Sequence, residues 1–455
     1  MVASGHIAVI DIGKTNIKLA IVDAETLEER AVSTMPNRVL PGPPYPHFDT
    51  DGIWAFLLAE LAGHNRACPL DAISVTTHGA SGALLDAGGE LALPVLDYEY
   101  DGPEIVAPLY DAIRPPFAET GSPRLAGGLN LGAQIFWQFQ TFPEAANTVA
   151  AIVTYPQFWA HKLSGVLATE VTSLGCHTDL WRPETGAFSS MVAKQGWAGL
   201  MAPVRRADDM LGHLRPDIAE KTGLSPQTQV HCGIHDSNAS LYPYIIRRRA
   251  PFSVVSTGTW VVCMTIGGKK VELDPERDTL VNVNARGDPV PSARFMGGRE
   301  FDTLISGDAS CSSKDIETVL AEKIMLLPAV ETQTGPFKGR QHVWSHPEAE
   351  LKAGIRFAAA SFYLAMMTAT CLELTGAEGP AIVEGPFAKN DAYLSMLRSA
   401  VGRPVSVSET ATGTSTGAAM LVTAGRHLDE QPPCDDQAGN TAMRDYARRW
   451  SELAG

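Results

Sequence analysis

Several polar clusters interrupt apolar runs at positions where phosphate and proton chemistry can be done. The first, Asp11-Ile12-Gly13-Lys14-Thr15-Asn16, gathers a carboxylate, an ammonium, a hydroxyl, an amide and turn N–H groups. Such a set can hold a phosphate tail and its divalent ion. An ordinary hairpin with a polar turn reads equally well from this stretch alone. A second cluster is His78-Gly79-Ala80-Ser81-Gly82, and a third is His231-Cys232-Gly233-Ile234-His235-Asp236 with Ser237 and Asn238 behind it. The third has the look of a metal site, but residues four apart on a strand stand about 13 Å apart, too far to share one ion. Asp236 stands out because it ends a buried strand, where a carboxylate must be satisfied or functional. It reads either as a helix N-cap, with Ser237 or Asn238 sharing that role, or as a general base that takes a proton from a substrate hydroxyl attacking a phosphoryl group. A fourth cluster, Ser256-Thr257-Gly258-Thr259, repeats the small polar tip of the first.

The elements that must carry these clusters follow from pattern. Residues 7–10 are an apolar run suited to a strand covered on both faces, and residues 17–22 form a returning strand. Residues 35–46 hold five prolines and read as a surface loop without regular structure. Asp49 or Thr50 can cap a helix over 53–63. A short buried strand at 72–77 delivers His78 and Gly79 past its carboxyl end, where α/β proteins bind ligands. A hairpin over 84–93 then delivers Asp97-Tyr98-Glu99-Tyr100. The stretch 103–225 is mostly helix and loop, with helices at 134–140 and 157–163, and its Trp137, Trp159, Trp181 and Trp197 read as core packing. A strand at 229–234 leads to Asp236, and a basic link at 245–250 follows.

The opening device then recurs: a strand at 252–255, the tip 256–259, and a strand at 260–266, about 245 residues after the first. This suggests two related domains, 1–245 and 246–455. Later come a long apolar helix over 351–374, a strand at 381–383 opening into Gly385-Pro386-Phe387-Ala388-Lys389-Asn390, a helix over 392–401, a strand at 404–407, and Thr412–Gly417 leading into an Ala-rich helix.

Composition narrows the class. A chain of 455 residues exceeds one ordinary core, and two domains are the prior. The formal net charge of −15 argues against nucleic acid or an anionic membrane as the main partner, although local positive groups can still hold phosphate. The start MVASGHIAVID has no basic segment followed by an apolar one, and no span of about 18 uninterrupted apolar residues occurs. The expectation is a cytoplasmic protein. Seven cysteines (Cys68, Cys176, Cys232, Cys263, Cys311, Cys371, Cys434) without a CxxC pair favour reduced thiols. Neither GxxxxGK[ST] nor GxGxxG occurs, so a bound nucleotide must be held in another way.

Asp11-x-Gly-x-Thr, His235-Asp236, Ser256-Thr257-Gly258-Thr259-Trp260 and Glu384-Gly385-Pro386-Phe387-Ala388-Lys389-Asn390, in this order over nearly the whole chain, resemble the landmarks of the FGGY carbohydrate kinases. His-Asp and the Ser-Thr-Gly-Thr-Trp loop are similar to the rhamnulokinase and fuculokinase branch. The resemblance implies an α/β fold of two RNase H-like (actin/hexokinase-type ATPase) domains with ATP and a sugar in an inter-domain cleft. It places Asp11 at the magnesium and phosphate region, with Gly13, Lys14, Thr15 and Asn16 in the same loop. It brings Thr257, Gly258 and Thr259 to the transferring phosphate, and Gly385 and Asn390 to the adenosine side. Asp236 becomes the base, and His78, Gly79, Glu99 and His235 fall near the sugar. Two departures stand out: where the family often carries Trp-x-Asp with a nearby Arg, residues 93–100 read LPVLDYEY, so the carboxylate toward the sugar is Asp97 or Glu99; and Pro386 stands where the family usually carries consecutive glycines, removing an N–H.

The expected activity is ATP- and Mg2+-dependent phosphorylation of a small ketose. The alternatives are a polyol or sugar-acid kinase of the same fold, and an actin-like nucleotide switch. The expected partners are a small-molecule sugar and, in a homodimer, a second copy of the chain, with no nucleic acid and no membrane.

Overall fold

The computed structural model describes residues 5–307, 309–408, 413–423 and 440–455. Thr412, Cys434 and the first four residues, used above, lie outside the described residues. The chain forms two compact units: Met1–Arg247 with Val281–Pro289 and the described part of 412–429, and then the remainder. The first unit thus takes two segments from far along the chain, which a single division at 245/246 does not contain.

In the first unit, β1 (His6–Ile12), β2 (Asn16–Asp23) and β3 (Glu29–Pro36) run antiparallel. β4 (Leu70–Thr77) lies parallel to β1 on its other side, followed outward by β6 (Gln229–His231) and β5 (Met210–His213), while β7 (Ile234–His235) also pairs with β4. Alternate residues of β1 point to opposite layers. Ala8, Ile10 and Ile12 pack with Ile53, Leu57 and Leu61 of helix α1 (Thr50–Ala67), whereas Ile7 and Val9 pack with Ala418 and Ala419 of the helix Thr414–Thr423. Both faces of the strand are covered, as its unbroken apolar run requires. Asp49 is the N-cap of α1, its side chain accepting from the Gly52 N–H at 2.9 Å.

Three local expectations change. Residues 35–46 are not wholly irregular: Met35 and Pro36 end β3, and Val39–Leu40 pairs with His47–Phe48. Pro36 is tolerated because β3 is the sheet edge. The turn around Asp86 to Glu90 forms, but Gly82–Asp86 takes its main partner from Val149–Thr154, so the 103–225 stretch, expected as mostly helix and loop, also supplies a strand. The strand at 229–234 is broken at Gly233, whose φ of +86° and whose missing Cβ, 2.4 Å from the Val75 carbonyl oxygen if present, only glycine allows. The helices at 134–140 and 157–163 are each longer, Leu131–Thr141 and α2 (Tyr155–Ser164). Trp137, Trp159, Trp181 and Trp197 are buried core residues.

The second unit repeats the plan. β8 (Phe252–Thr257) and β9 (Val261–Ile266) form the hairpin, β10 (Pro289–Phe295) continues it antiparallel, and β11 (Ala381–Glu384) and β12 (Val405–Val407) extend the other side parallel to β8. The order β10-β9-β8-β11-β12 matches β3-β2-β1-β4-β6, so the repeat seen as two polar tips extends to the topology of both sheets. The helix Ala353–Leu374 is long and apolar enough to cross a bilayer, yet thirteen of its residues are buried in this unit's core.

Candidate active site

Parallel pairing sets the site of the first unit. Asp11 on β1 and Ile234 on β7 both stand opposite Thr76 of β4, and Ile12 and His235 both stand opposite Thr77. The strands therefore end in one row, and Asp11, His78 and Asp236 emerge together at the carboxyl edge of the sheet. The His78 N–H continues the ladder to the Ile12 carbonyl at 2.9 Å. Asp236 opens the helix α3 (Asp236–Arg247), and its Oδ1 accepts the Ser237 N–H at 2.6 Å. Asp236 thus stands at the end of a strand and the start of a helix at once, bonded to the next residue's N–H and not to those two or three residues on that an N-cap would take.

The electrostatics of these groups differ. Burial pushes the Asp11 carboxyl up to about 6, against the pull of the hydroxyl of Thr414, with Asp236 adding to the rise. Thr414 donates to Asp11 Oδ2. Burial likewise raises the Asp236 carboxyl, with the His78 ring opposing it. His78 is surrounded by the rings of Phe48, Tyr98 and Tyr155 at 5.0, 5.3 and 5.1 Å. Burial brings it down to about 4, so the imidazole is neutral at pH 7. Its Nδ1–H donates to the Gly79 carbonyl at 2.9 Å, and its buried Nε2 has no hydrogen-bond partner among the described residues. His235 is also brought to about 4 by burial.

The Lys14 side chain turns to neighbouring carboxylates and a ring. Its ammonium is ion-paired with Asp97, lies 3.2 Å from Glu99 and sits 4.7 Å from the Tyr98 ring centroid. Of the two carboxylates left open above, Asp97 is buried and Glu99 exposed. The Lys14 end of the opening turn therefore joins the His78 aromatic surroundings, while Thr15 and Asn16 are exposed at the tip. Gly13 closes that turn by donating its N–H to the Asn16 carbonyl at 2.9 Å.

In the second unit, the Thr257 hydroxyl donates to the Glu384 carbonyl and accepts the Phe387 N–H at 3.1 Å. The chain passes so close here that a Cβ on Gly385, whose φ is +85°, would stand 1.9 Å from the Thr257 carbonyl oxygen. The Gly258 N–H is taken by the Trp260 carbonyl at 2.9 Å, leaving Thr259 exposed at the tip. Asn390 caps the helix Asp391–Val401 through the Tyr393 N–H at 3.0 Å and donates to Ser361 at 2.9 Å. Its side chain is engaged at both polar ends, so any effect on a ligand would be through loop placement. Pro386 starts a short turn whose next N–H, that of Phe387, is already satisfied by Thr257.

Thr414, Phe48 and Tyr155 were not found by sequence reasoning. Thr414 lies 403 residues from Asp11, and the aromatic pair carries no polar signature. The Thr- and Ser-containing run that leads into the Ala-rich helix is the sequence signal available for Thr414.

Residues 6–242 match the N-terminal domain of the FGGY family of carbohydrate kinases, and residues 249–431 match the FGGY carbohydrate kinase C-terminal domain. The crystal structure of a carbohydrate kinase from Novosphingobium aromaticivorans is 37% identical with a TM-score of 0.90, covering 98% of this chain and 100% of that one. A ligand-bound xylulose kinase from Lactobacillus acidophilus shares the fold at 13% identity, TM-score 0.79, over 99% of this chain and 96% of its own. The L-fuculokinase of Salmonella typhi is 24% identical over 270 residues, 58% of this chain. That alignment spans 57% of the fuculokinase, little more than half the length of this curated relative. The chain belongs to the FGGY family of carbohydrate kinases.

Proposed function

We propose that the protein transfers a phosphoryl group from ATP to a hydroxyl of a small sugar, with Asp236 as the base. The acceptor class we favour is a ketose, of the fuculose or rhamnulose kind or shorter. The observation that carries this reading is the common row in which β1, β4 and β7 end, which puts Asp236 beside His78 and in electrostatic reach of Asp11.

Each group then has a task. Asp236, its carboxyl raised by burial, is suited to accept a hydroxyl proton as the new O–P bond forms. His78 Nε2, lacking a proton because Nδ1–H is committed to Gly79, can only accept, and so orients a sugar hydroxyl as donor. Lys14 holds Asp97 in place, and Asp97 can receive further hydroxyls. Asp11 fits a magnesium site: it is partly buried, Thr414 is its one side-chain donor, and no cation lies within ion-pair distance among the described residues. The metal, bound with ATP, would neutralise charge on the transferring group. The glycine-lined turns at Gly13, Gly258 and Gly385, with exposed Thr15, Asn16 and Thr259, are the surfaces we assign to the nucleotide phosphates and adenosine.

A coupled ADP-release screen over ketopentoses, 6-deoxyketohexoses, tetruloses, polyols and sugar acids tests the reading. Sugar-dependent turnover is expected, and Asp236→Ala should reduce it about 10²-fold or more while ATP binding persists. Near-normal turnover in that variant defeats the base assignment. ATP hydrolysis indifferent to every sugar points to a nucleotide switch instead.

A further inference from the structure

The two histidines of the site are not equivalent. We propose that His235 is a positioning residue that orients the Asp236 carboxylate, with Asn238 fixing its tautomer, and that it is not a sugar contact. This rests on Asp236 being the base.

The His235 ring has protein groups at both nitrogens. Nδ1 lies 3.4 Å from the Asn238 amide nitrogen, and Nε2 lies 3.1 Å from Asp236 Oδ1 and 3.7 Å from Cys176 Sγ. An amide NH2 can only donate, so Nδ1 keeps its lone pair and the proton sits on Nε2, the nitrogen that lies 3.1 Å from Asp236 Oδ1 and 3.7 Å from Cys176 Sγ. His78 presents the opposite case, with Nδ1–H committed and Nε2 without a partner. One ring is left with a vacant acceptor for a sugar hydroxyl; the other has none.

The ring also has nowhere to turn. His235 is 6% exposed, and a Cβ on Gly79 would stand 2.7 Å from its Nε2 and 3.0 Å from Cys176 Sγ, so Gly79 backs directly onto it. The backbone is held too. The His235 N–H donates to the Thr172 hydroxyl at 3.1 Å, which donates to Glu170 Oε2 at 2.5 Å. Glu170 is fully buried and also accepts the Thr172 N–H at 2.9 Å, capping the turn Val171–Leu174. These contacts fix β7 where it delivers Asp236. The Ser237 N–H and the His235 Nε2 side both fall on Asp236 Oδ1, which leaves Oδ2 as the oxygen to take the acceptor's proton. His235 itself neither gains nor loses a proton.

The test uses the full chain and the ketose giving the highest turnover in the screen above. His235→Phe removes the polar N–H 3.1 Å from Asp236 Oδ1 and should lower kcat about 10-fold, while the sugar KM stays within about two-fold. His235→Gln keeps an amide donor at the Nε2 position and should recover most of the loss. Asn238→Ala should lower kcat less and move the acidic limb of the kcat profile up, because the carboxylate loses its oriented donor. The other titratable groups facing Asp236, namely Asp11, His78 and Tyr98, are the same in every variant, so the shift reports His235. An unchanged rise in Tm on adding ADP confirms folding. Should His235→Phe not fold, His235→Gln against His235→Asn reads the same contrast, since the shorter amide does not reach Asp236. A ten-fold rise in sugar KM with kcat unchanged, or equal loss in the Gln and Phe variants, overturns the proposal. Normal turnover in Asp236→Ala would instead remove the base reading beneath it.

Discussion

Replacing Gly417 by alanine should destabilise the first unit, although alanine is the better helix former. Intrinsic propensity alone favours the change by about 1 kcal/mol. Gly417, however, lies where the helix Thr414–Thr423 crosses α3, and a Cβ there would stand 1.8 Å from the Ala239 carbonyl oxygen and 2.6 Å from its carbon. An ordinary carbon–oxygen contact is about 3.2 Å, so the two backbones must separate by roughly 1.4 Å. No flexible side chain can absorb this. The same helix packs Ala418 and Ala419 on Ile7, Val9, Ala20 and Val22, and Met420 and Leu421 on Ala207, Ile234 and Ala239, so separation opens gaps in both layers. Overpacking of this kind costs about 1–3 kcal/mol and more when backbone must move, so a net loss of roughly 2–4 kcal/mol is expected. Gly63→Ala is the control. Gly63 lies inside α1 with nothing within 4 Å of its missing Cβ, and the substitution should gain about 1 kcal/mol. Thermal unfolding of the two variants beside wild type, followed by tryptophan fluorescence, makes the comparison. A Gly417→Ala midpoint at or above that of wild type would refute the packing argument.

Asp11→Asn should abolish turnover yet stabilise the fold near pH 8. A carboxyl raised from 3.8 to about 6 keeps its full stability below pH 4 and loses about 3 kcal/mol as pH rises through 6, a loss the amide escapes. The Tm difference between Asp11→Asn and wild type should therefore shrink on going from pH 8 to pH 5; a difference independent of pH would contradict the assigned burial. Glu300→Gln should behave similarly without a catalytic effect. Glu300 is fully buried, its Oε1 accepts the Glu331 N–H at 3.1 Å, the Tyr363 hydroxyl also lies against its carboxyl, and burial still brings that carboxyl to about 7. The variant should gain about 3 kcal/mol at pH 8 and about 1 kcal/mol or less at pH 5, read from urea midpoints.

The fold was legible where chemistry is local. The strand at 7–10 could be read as covered on both faces because its apolar run is unbroken, and Asp49 or Thr50 could be placed before α1 because capping depends on a few neighbouring atoms. The site was legible to the extent that strand ends are marked by polar residues, which is why Asp11, His78 and Asp236 stood out. What sequence reasoning could not reach was pairing across long separations. Thr414 meets Asp11 only because a distant helix returns to the first sheet, and Lys14 turns to Asp97 through a neighbour 83 residues on. The exchange of roles between His78 and His235 depends on which ring nitrogen has a partner, a matter of ångströms and not of residue type. Gly233 was read as part of a continuous strand because its positive φ leaves no trace in the pattern of neighbouring residues.

The return of residues 413–423 to the first unit also has a biosynthetic meaning. The face of β1 and β2 that carries Ile7, Val9, Ala20 and Val22 is covered by Ala418 and Ala419, so a nascent chain that has only reached Arg247 presents that apolar stripe bare. The amino-terminal unit, although made first, cannot finish folding until residue 423 has left the ribosome. A fragment ending at Arg247 should accordingly be sticky when expressed alone, and the two halves of this gene are better treated as interleaved than as separable modules.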